Sequence, residues 1–298
     1  MSVQTLEISR SSASGILSSG NATGIRSLPT VSKLIDTSTC IGCKACEVAC
    51  QEWNDLKSVA TTNGGDYQTL KTLDAQFWNL IRFDEREVDG GLKWLMRKDQ
   101  CMHCAEPGCL EACPAPGAIV QYANGIVDVN PEQCIGCGYC ETGCPFDVPK
   151  FHASTKRMAK CTLCVDRVSV GLEPACIKAC PTGCLHFGTK DDMIALGSRR
   201  VDQLKANGFP TAALYDPKGV GGTGVVTVLA FGDHPEWYAG LPRDPHVPLG
   251  VKFWKNIVRP LGLIAIAGAI VGAFGHYFNF GKKEVQGAAD SESNLPQA

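Results

Sequence analysis

The chain has 298 residues, of which 44% are hydrophobic and 19% charged, and its 28 basic and 30 acidic side chains give a formal net charge of −2. A chain of this length can bury a substantial core without disulfides, which argues against a small secreted scaffold. Near-neutral charge without a basic block argues against a nucleic-acid partner. The 17 cysteines are the unusual feature, and their odd number leaves at least one thiol outside any scheme of paired disulfides.

The N-terminal segment, residues 1–30, is rich in Ser, Gly and Thr and contains no apolar run. A secretory signal peptide needs a hydrophobic stretch of about 7–15 residues, so this segment is not predicted to be one. We expect residues 1–30 to form a flexible, loosely ordered arm that covers a partner.

Sixteen cysteines fall into four groups of four, and Cys184 is left over. Groups one and three have the spacing C-x2-C-x2-C-x3-C, whereas group two lengthens one gap and group four carries an insertion. Group one is Cys40, Cys43, Cys46 and Cys50; group two is Cys101, Cys104, Cys109 and Cys113; group three is Cys134, Cys137, Cys140 and Cys144; group four is Cys161, Cys164, Cys176 and Cys180.

The compact spacing is typical of loops that bind [4Fe–4S] clusters. Three thiolates two residues apart can surround three corners of a cubane, and the fourth ligates the other cluster of a pair. A proline follows the fourth cysteine in three of the groups, which suits an abrupt exit from the loop. Structural zinc prefers two C-x2-C halves that lie far apart, a pattern that only group four resembles. The sequence therefore predicts four [4Fe–4S] clusters rather than zinc or disulfides.

Cys184 is expected to have a different role. The stretch Cys180-Pro-Thr-Gly-Cys184-Leu-His-Phe aligns with Cys113-Pro-Ala-Pro-Gly-Ala118-Ile-Val, so Cys184 corresponds to an alanine. We expect a small buried hydrophobic side chain there, because sixteen other cysteines already fill four sites.

Short strands are predicted between the groups. Two β-branched runs around Ala123-Asn-Gly125 predict a β-hairpin, because Asn-Gly supplies positive φ angles. Within an insertion at residues 51–100, Phe77–Phe83 and Leu92–Arg97 alternate as strands around Asp89-Gly-Gly91.

After group four, the pattern of apolar residues predicts a helix from Asp191 to Asn207 and a buried strand at Val225–Phe231. Pro235–Pro248 contains four prolines and is predicted to be a linker.

The segment Pro260–Gly281 contains no Asp, Glu, Lys or Arg over 22 residues. As a helix it would be about 33 Å long, enough to cross a bilayer core of roughly 30 Å. Trp254 and Tyr277 stand near its ends, as interfacial aromatic residues do. The alternative is a buried helix of a soluble protein, although few such helices are so long and free of charge. We predict a membrane anchor at residues 249–281 and a disordered polar tail at 282–298.

One stripe of this helix carries Gly268, Gly272 and His276 at intervals of four. Small residues let another helix approach closely, so the stripe is a candidate for contact with a membrane partner, and incidental glycines are the alternative. We expect His276 to face protein or the interface, either as a hydrogen-bonded residue or beside a quinone or haem site of a neighbour.

The sequence offers no site for substrate chemistry. No GxGxxG opens a helix after a strand, so no nucleotide site is predicted, and no catalytic triad or carboxylate pair stands out. His103 is expected to be a loop residue near a cluster rather than a ligand. Lys44 and Lys160 lie in or beside the ligand loops and are candidates for raising a cluster's reduction potential, the alternative being solvated surface lysines.

With these sixteen cysteines, one C-terminal span and the opening Thr39-Cys-Ile-Gly-Cys-Lys-Ala-Cys46, the sequence resembles the iron–sulfur (beta) subunits of membrane-bound, formate dehydrogenase-N-type enzymes. The resemblance runs from about Leu34 to Gly281. It includes Lys98-Asp-Gln-Cys-Met-His-Cys104, Gln121-Tyr-Ala-Asn-Gly-Ile-Val-Asp128 and Lys160-Cys-Thr-Leu-Cys-Val-Asp-Arg-Val168. It implies an α+β fold with two ferredoxin-like [4Fe–4S] modules and insertions over residues 31–248, followed by one transmembrane helix. An equivalent subunit of a membrane hydrogenase or a sulfur-compound reductase remains an alternative, and so does an assembly or zinc-dependent structural protein.

The resemblance also implies a pairing that spacing alone does not determine: group one nests with group four, and group two with group three. The implied ligand sets are set A (Cys40, Cys43, Cys46, Cys180), set B (Cys161, Cys164, Cys176, Cys50), set C (Cys101, Cys104, Cys109, Cys144) and set D (Cys134, Cys137, Cys140, Cys113). In such enzymes the clusters connect a molybdenum- or tungsten-pterin catalytic subunit to a membrane cytochrome b (haem b) subunit that reduces quinone.

The charges around the span favour a cytoplasmic large domain, because three cations precede it and two follow it. They are Lys252, Lys255 and Arg259, then Lys282 and Lys283. The resemblance implies the opposite orientation in the inner (plasma) membrane, with a periplasmic large domain and a cytoplasmic tail. We expect that orientation, because large domains translocate with little regard for charge. Without a signal of its own, the chain would be exported bound to a partner.

Overall fold

The computed structural model describes residues 6–12, 29–57, 62, 64–65 and 67–281, apart from the side chains of residues 256, 280 and 281. The chain separates into two compact units, Met1–Pro248 and Leu249–Ala298.

The described part of the first unit, which contains the cysteine groups, has eleven strands and six α-helices. The strands are β1 (Ile8–Ser11), β2 (Val31–Asp36), β3 (Asn79–Val88), β4 (Gly91–Gln100), β5 (Ile119–Tyr122), β6 (Val127–Val129), β7 (Lys150–Phe151), β8 (Met158–Ala159), β9 (Leu185–Thr189), β10 (Ala213–Tyr215) and β11 (Val225–Leu229). The helices are α1 (Ala45–Trp53), α2 (Gly108–Ala112), α3 (Tyr139–Thr142), α4 (Val165–Val168), α5 (Ala175–Lys178) and α6 (Lys190–Ala206).

The largest sheet has the strand order β10-β11-β2-β9, with β11 parallel to β2 and the other pairs antiparallel. Strand β2 precedes group one and β9 follows group four, so this sheet joins the two groups into one module. Helix α6 covers the sheet, with Met193 and Val201 packed against Leu34 and Val226. The predicted helix and the predicted buried strand are confirmed as α6 and β11, with ends shifted by one or two residues.

The second module is built on β5 and β6, which form an antiparallel hairpin between groups two and three. Gly125 has a φ of 88° and Asn124 Oδ1 accepts a hydrogen bond from the Ile126 N–H at 3.2 Å, so the turn uses the residues predicted for it. The predicted hairpin is confirmed.

The expectation of a loosely ordered N-terminal arm is wrong for its described part. Strand β1 pairs antiparallel with β5, and Leu6 and Ser12 on either side of it are buried. The exposed edge of the β5–β6 hairpin offers unpaired backbone groups, and β1 satisfies them. Residues 1–5 and 13–28 of the arm lie outside the described residues.

A long two-stranded hairpin, β3–β4, interrupts the first module between groups one and two. The two predicted strands are confirmed, but each is ten residues long, and they pair from Asn79 opposite Gln100 to Val88 opposite Gly91. Because side chains alternate along a strand, Met96, Lys98 and Gln100 of β4 lie on one face.

The predicted linker Pro235–Pro248 is instead packed against the first unit, which corrects that expectation. Tyr238 and Leu241 are buried, and the Tyr238 hydroxyl accepts a hydrogen bond from the Phe231 N–H at 3.1 Å. Burial of the apolar side chains between the prolines stabilises the fold, whereas a solvated linker would leave those side chains in water.

The second unit is helical throughout its described part. It comprises α7 (Leu249–Phe253), a π-helical turn at Trp254–Val258, α8 (Arg259–His276) and a second π-helical turn at Tyr277–Gly281. The stretch Arg259–Asn279 is long and apolar enough to cross a membrane. Pro260 is half-buried and the other side chains of α8 are exposed. The predicted tail lies outside the described residues.

Candidate metal centres

Each cysteine group begins with the same backbone turn. The residue just before the second cysteine has a positive φ in every group: 67° at Gly42, 47° at His103, 72° at Gly136 and 54° at Leu163. Left-handed backbone is uncommon for residues other than glycine. Its recurrence at His103 and Leu163 therefore shows that groups two and four adopt the loop of groups one and three despite their different spacing.

This turn directs a backbone N–H at the sulfur of the first cysteine. The Leu163 N–H donates to Cys161 Sγ at 3.4 Å. The equivalent bonds run from Gly42 to Cys40 and from His103 to Cys101. Such donors stabilise a thiolate, and successive amides in this conformation form a concavity suited to an anion.

Short helices carry the third cysteine of each group. These four cysteines are all buried: Cys46 on α1, Cys109 on α2, Cys140 on α3 and Cys176 on α5. Helices α1 and α5 contact each other, as do α2 and α3. The contacts between helices thus bring group one to group four and group two to group three.

Cysteines of different groups converge in fours. Three cavities are each lined by three cysteines of one group and one cysteine of another. The cavities contain, respectively, Cys40, Cys43, Cys46 and Cys180; Cys134, Cys137, Cys140 and Cys113; and Cys161, Cys164, Cys176 and Cys50. The structure therefore brings together the members of sets A, D and B.

The members of set C are neighbours in the interior. Burial raises the pKa of the Cys104 thiol, and the charges of Cys101, Cys144 and Cys109 raise it further. None of the seventeen cysteines forms a disulfide. Within the described residues, no three His, Cys, Asp or Glu side chains are grouped for a single metal ion.

Apolar clusters connect each set to the next. Cys46 of set A shares a buried cluster with Cys176 of set B. The next pairs are Cys161 of set B with Cys101 of set C, and Cys109 of set C with Cys140 of set D. The first of these clusters also contains Cys104 of set C, whereas set D shares a cluster only with set C. Sets A and D, which share no cluster, are therefore the two ends of the row.

The first and last sets reach the surface. Cys43 of set A and Cys137 of set D are exposed, whereas every cysteine of set B is buried. Beside them, Ile41 is 60% exposed and Ile135 is 67% exposed. Both ends of the row of sets therefore present an apolar side chain and a cysteine to solvent.

The two predicted lysines occupy different environments. Lys160 is buried, and its Nζ donates to the carbonyl oxygens of Val127 at 2.5 Å and Cys161 at 3.0 Å, so the surface alternative is wrong for it. Burial lowers its pKa, but the neighbouring acidic groups, Cys101 and Cys109 first and then Asp128 and Cys161, together raise the pKa above its usual value. Lys44 lines the set A cavity and donates to the carbonyl oxygen of Tyr67 at 2.8 Å.

Sequence reasoning missed two further buried lysines, Lys33 on β2 and Lys98 on β4. Lys33 lies in the wall of the set B cavity and Lys98 in the wall of the set A cavity. The alternation of Met96, Lys98 and Gln100 before group two was a usable signal for Lys98. The sequence held no comparable signal for Lys33.

Cys184 is buried, as expected of a small hydrophobic side chain, but it also lines the set A cavity. Its Sγ lies 3.6 Å from Cys180 Sγ. A hydrogen bond to Cys40, followed by burial, raises the pKa of the Cys184 thiol. Cys184 therefore sits beside two members of set A as a protonated thiol.

On α8, Gly268, Gly272 and His276 lie on one stripe, as predicted. A Cβ added at either glycine would meet no described atom within 4 Å. The stripe is open to the approach of another helix.

The cysteine-rich region and the apolar helix match different domain profiles. Two 4Fe-4S dicluster domain profiles match residues 39–118 and 92–190, and a profile described as "Formate dehydrogenase N, transmembrane" matches residues 247–289.

Individual proteins similar to this chain cover most of its length. The formate dehydrogenase-O iron-sulfur subunit of Escherichia coli (strain K12) is 54% identical over 265 residues, covering 89% of this chain and 87% of that protein. The iron-sulfur subunit of the nitrate-inducible formate dehydrogenase of the same organism is 54% identical over 256 residues, covering 86% and 87%. The formate dehydrogenase iron-sulfur subunit of Haemophilus influenzae is 52% identical over 271 residues, covering 89% and 87%.

Proposed function

From the premise that this chain belongs to the family of formate dehydrogenase iron–sulfur subunits, we propose a path for the electrons that it carries. The chain is a non-catalytic electron-transfer subunit with [4Fe–4S] clusters and a transmembrane helix. In our proposal four clusters, held by sets A to D, conduct electrons from a molybdenum- or tungsten-pterin subunit that oxidises formate. The electrons leave to a membrane cytochrome b subunit and quinone.

The observation that carries this proposal is the fourfold recurrence of one loop. All four groups have the left-handed residue before the second cysteine, and each set contributes four thiols around one place in the fold. Four cysteine thiolates are the usual ligands of a [4Fe–4S] cluster, which supplies one-electron chemistry when bound. Buried set B and the interior position of set C suit intermediate carriers.

The ends of the row are the proposed sites of exchange with partners. Exposed apolar side chains beside Cys43 and Cys137 suit docking surfaces that exclude water from the junction. One end would meet the catalytic subunit and the other the membrane subunit. Lys160 beside set C and Lys44 beside set A remain candidates for raising the potentials of those clusters.

For the second unit we propose a single-pass anchor in the inner membrane, with residues 31–248 on the periplasmic side and a cytoplasmic tail. The stripe of Gly268, Gly272 and His276 would face the cytochrome b subunit, because small residues allow close approach of helices.

Metal and sulfide analysis of the purified complex tests the number of clusters. We expect this chain to contribute about 16 irons and as many acid-labile sulfides, four per cluster. The formate-to-quinone activity of the co-purified complex tests the direction of electron flow. Zinc without sulfide, or iron for fewer than four clusters, would contradict the proposal.

The pairing of groups is tested by cysteine substitutions read by electron paramagnetic resonance (EPR) of the reduced clusters. Cys43→Ser and Cys180→Ser should perturb the same signal, because both belong to set A. Cys50→Ser should instead perturb the signal that Cys164→Ser perturbs, because both belong to set B. If Cys180→Ser and Cys164→Ser affected one signal, group four would bind a cluster alone and the nested pairing would be wrong.

A further inference from the structure

Lys98 is a buried cation without a counter-ion bonded to it. Its side chain is 2% exposed, and Nζ has no hydrogen-bond partner among the described residues. The side chain lines the set A cavity together with Met96, Ile81 and the four cysteines. A buried ammonium is costly unless it is paired with an anion, so its partner is expected in the cavity itself.

The charged neighbours of Lys98 are few. Lys98 acts to lower the pKa of the Glu47 carboxyl group on α1. One oxygen of that group, Oε1, already accepts a hydrogen bond from the Ile81 N–H at 2.5 Å. Lys44 lines the same cavity but is engaged by the Tyr67 carbonyl. Lys98 also acts to lower the pKa of the thiols of Cys40 and Cys46 in set A. It acts in the same direction on Cys50 and Cys176 of set B, but it lines only the set A cavity of the two.

Lys33 has the corresponding position at set B. It is 0% exposed, and its Nζ donates to Cys176 Sγ at 3.2 Å and to Gln100 Oε1 at 3.0 Å. The amide nitrogen of Gln100 is itself buried without a partner among the described residues, and Gln100 lines the same cavity. Gln100 therefore orients the ammonium of Lys33 towards the sulfur and presents a second donor.

Set D provides a comparison within the same chain. Its described cavity wall contains Ile119, Phe151 and Met158 and no charged side chain, whereas Lys44 and Lys98 line the set A cavity. Gly138 occupies the place after the second cysteine that Lys44 occupies in group one, and both have left-handed backbone. The two pseudo-equivalent cavities thus share their loop and differ in buried positive charge.

We propose that Lys98 raises the reduction potential of the cluster in set A, and Lys33 that of the cluster in set B, each by donating a hydrogen bond to its cluster. This rests on the proposed function, since it requires clusters at both sets. A [4Fe–4S] cluster with four thiolates is anionic and gains one negative charge on reduction, so a fixed cation beside it stabilises the reduced state. Each lysine therefore raises the potential of its own cluster.

The test is an EPR-monitored redox titration of the whole purified complex, with iron determined on the same samples. Lys98→Gln should lower the midpoint potential of one cluster most, and Lys33→Gln should produce its largest shift at a different cluster. Lys98→Arg, which keeps the charge, should restore most of the first shift. Lys93→Gln is the matched control, because Lys93 lies on the same strand β4 but is exposed, and it should shift no midpoint.

Unchanged midpoints in Lys98→Gln and Lys33→Gln at full iron content would overturn the inference while leaving the proposed function intact. Equal shifts of all four clusters would overturn it too, because they would reflect overall charge. Iron for fewer than four clusters in the unmodified complex would instead refute the proposed function.

A second measurement does not depend on the variants assembling. In unmodified complex labelled with ¹⁵N-lysine, pulsed EPR of the reduced clusters should show ¹⁵N couplings transmitted through the N–H···S bonds. Their absence would overturn the proposed donors.

Discussion

Cys184 and Ala118 occupy equivalent places in the two modules. Cys184 is 5% exposed in the wall of the set A cavity, and Ala118 is 2% exposed in the wall of the set D cavity. Cys184 lies four residues after Cys180, and Ala118 lies five residues after Cys113. A proline directly follows each of these two cysteines. The alignment read from the sequence therefore pairs two buried residues that each line a cavity of four grouped cysteines, and in set D that residue is an alanine.

Cys184→Ala should leave four clusters in place, because set D has an alanine there and Cys184 acts as a neutral thiol. Losing its small buried side chain should cost on the order of 1 kcal/mol of stability. Iron content and the EPR spectrum of the purified variant are the measurements, with Cys180→Ala as the contrast that should lose iron. Loss of a cluster in Cys184→Ala would mean that the seventeen cysteines divide differently.

At the residue scale, spacing identifies the cysteines that converge in the fold and identifies their surroundings poorly. The four groups could be read from the sequence because cluster geometry demands thiolates at short intervals. The left-handed backbone at His103 and Leu163 could not, because such backbone is uncommon for any residue other than glycine. Lys33 could not be found either, because it lies in an otherwise ordinary strand and only the fold brings it to Cys176.

At the scale of elements, the second module depends on the close approach of α2 and α3. A Cβ built on Gly108 would lie 2.2 Å from the carbonyl oxygen of Gly143, a backbone atom that cannot rotate away. Helix α2 carries Cys109 of set C and α3 carries Cys140 of set D. Any separation of the two helices therefore acts on two ligand sets at once.

Gly108→Ala should push these helices apart and lower the iron content of both sets, with a loss of about 3 kcal/mol or more in stability, at the upper end for overpacked sites. Thermal unfolding and iron analysis of the complex are the measurements. Gly91→Ala is the matched control, since its added Cβ makes only an ordinary contact of 3.7 Å with the Val88 carbonyl oxygen. Similar behaviour of the two variants would exclude this role for the helix contact.

Elements with strong local signals were predictable, and elements determined by partners in the fold were not. The Asn-Gly hairpin and the periodic helix α6 follow from residues close in sequence. Strand β1 forms because β5 has a free edge more than a hundred residues away, as the pairing of Ile8 with Tyr122 shows. The segment Pro235–Pro248 was predicted to be a linker from its four prolines. The burial of Tyr238 and Leu241 depends on the rest of the fold, so the sequence alone does not indicate it.

For the whole molecule, the orientation in the membrane is the main open prediction. Fusions to the C-terminus should yield a fluorescent green fluorescent protein and an inactive alkaline phosphatase, because we propose that the tail is cytoplasmic. Each reporter serves as the control for the other, since they function on opposite sides of the inner membrane. An active phosphatase would reverse the proposed orientation, as the charges flanking the span would favour.

The nested arrangement of the sets has a consequence for biogenesis. In the proposed pairing, sets C and D draw all their ligands from residues 101–144, so they are complete as soon as that stretch has been synthesised. In the same pairing, sets A and B each combine group one with group four, so set B is complete only after residue 176 and set A only after residue 180. Until then the four cysteines of group one emerge first and wait longest as unprotected thiols, open to oxidation or to a competing metal. With this pairing, the earliest cysteines of the nascent chain would be among the last to acquire iron, and we expect oxidative damage during synthesis to fall first on the module formed by groups one and four.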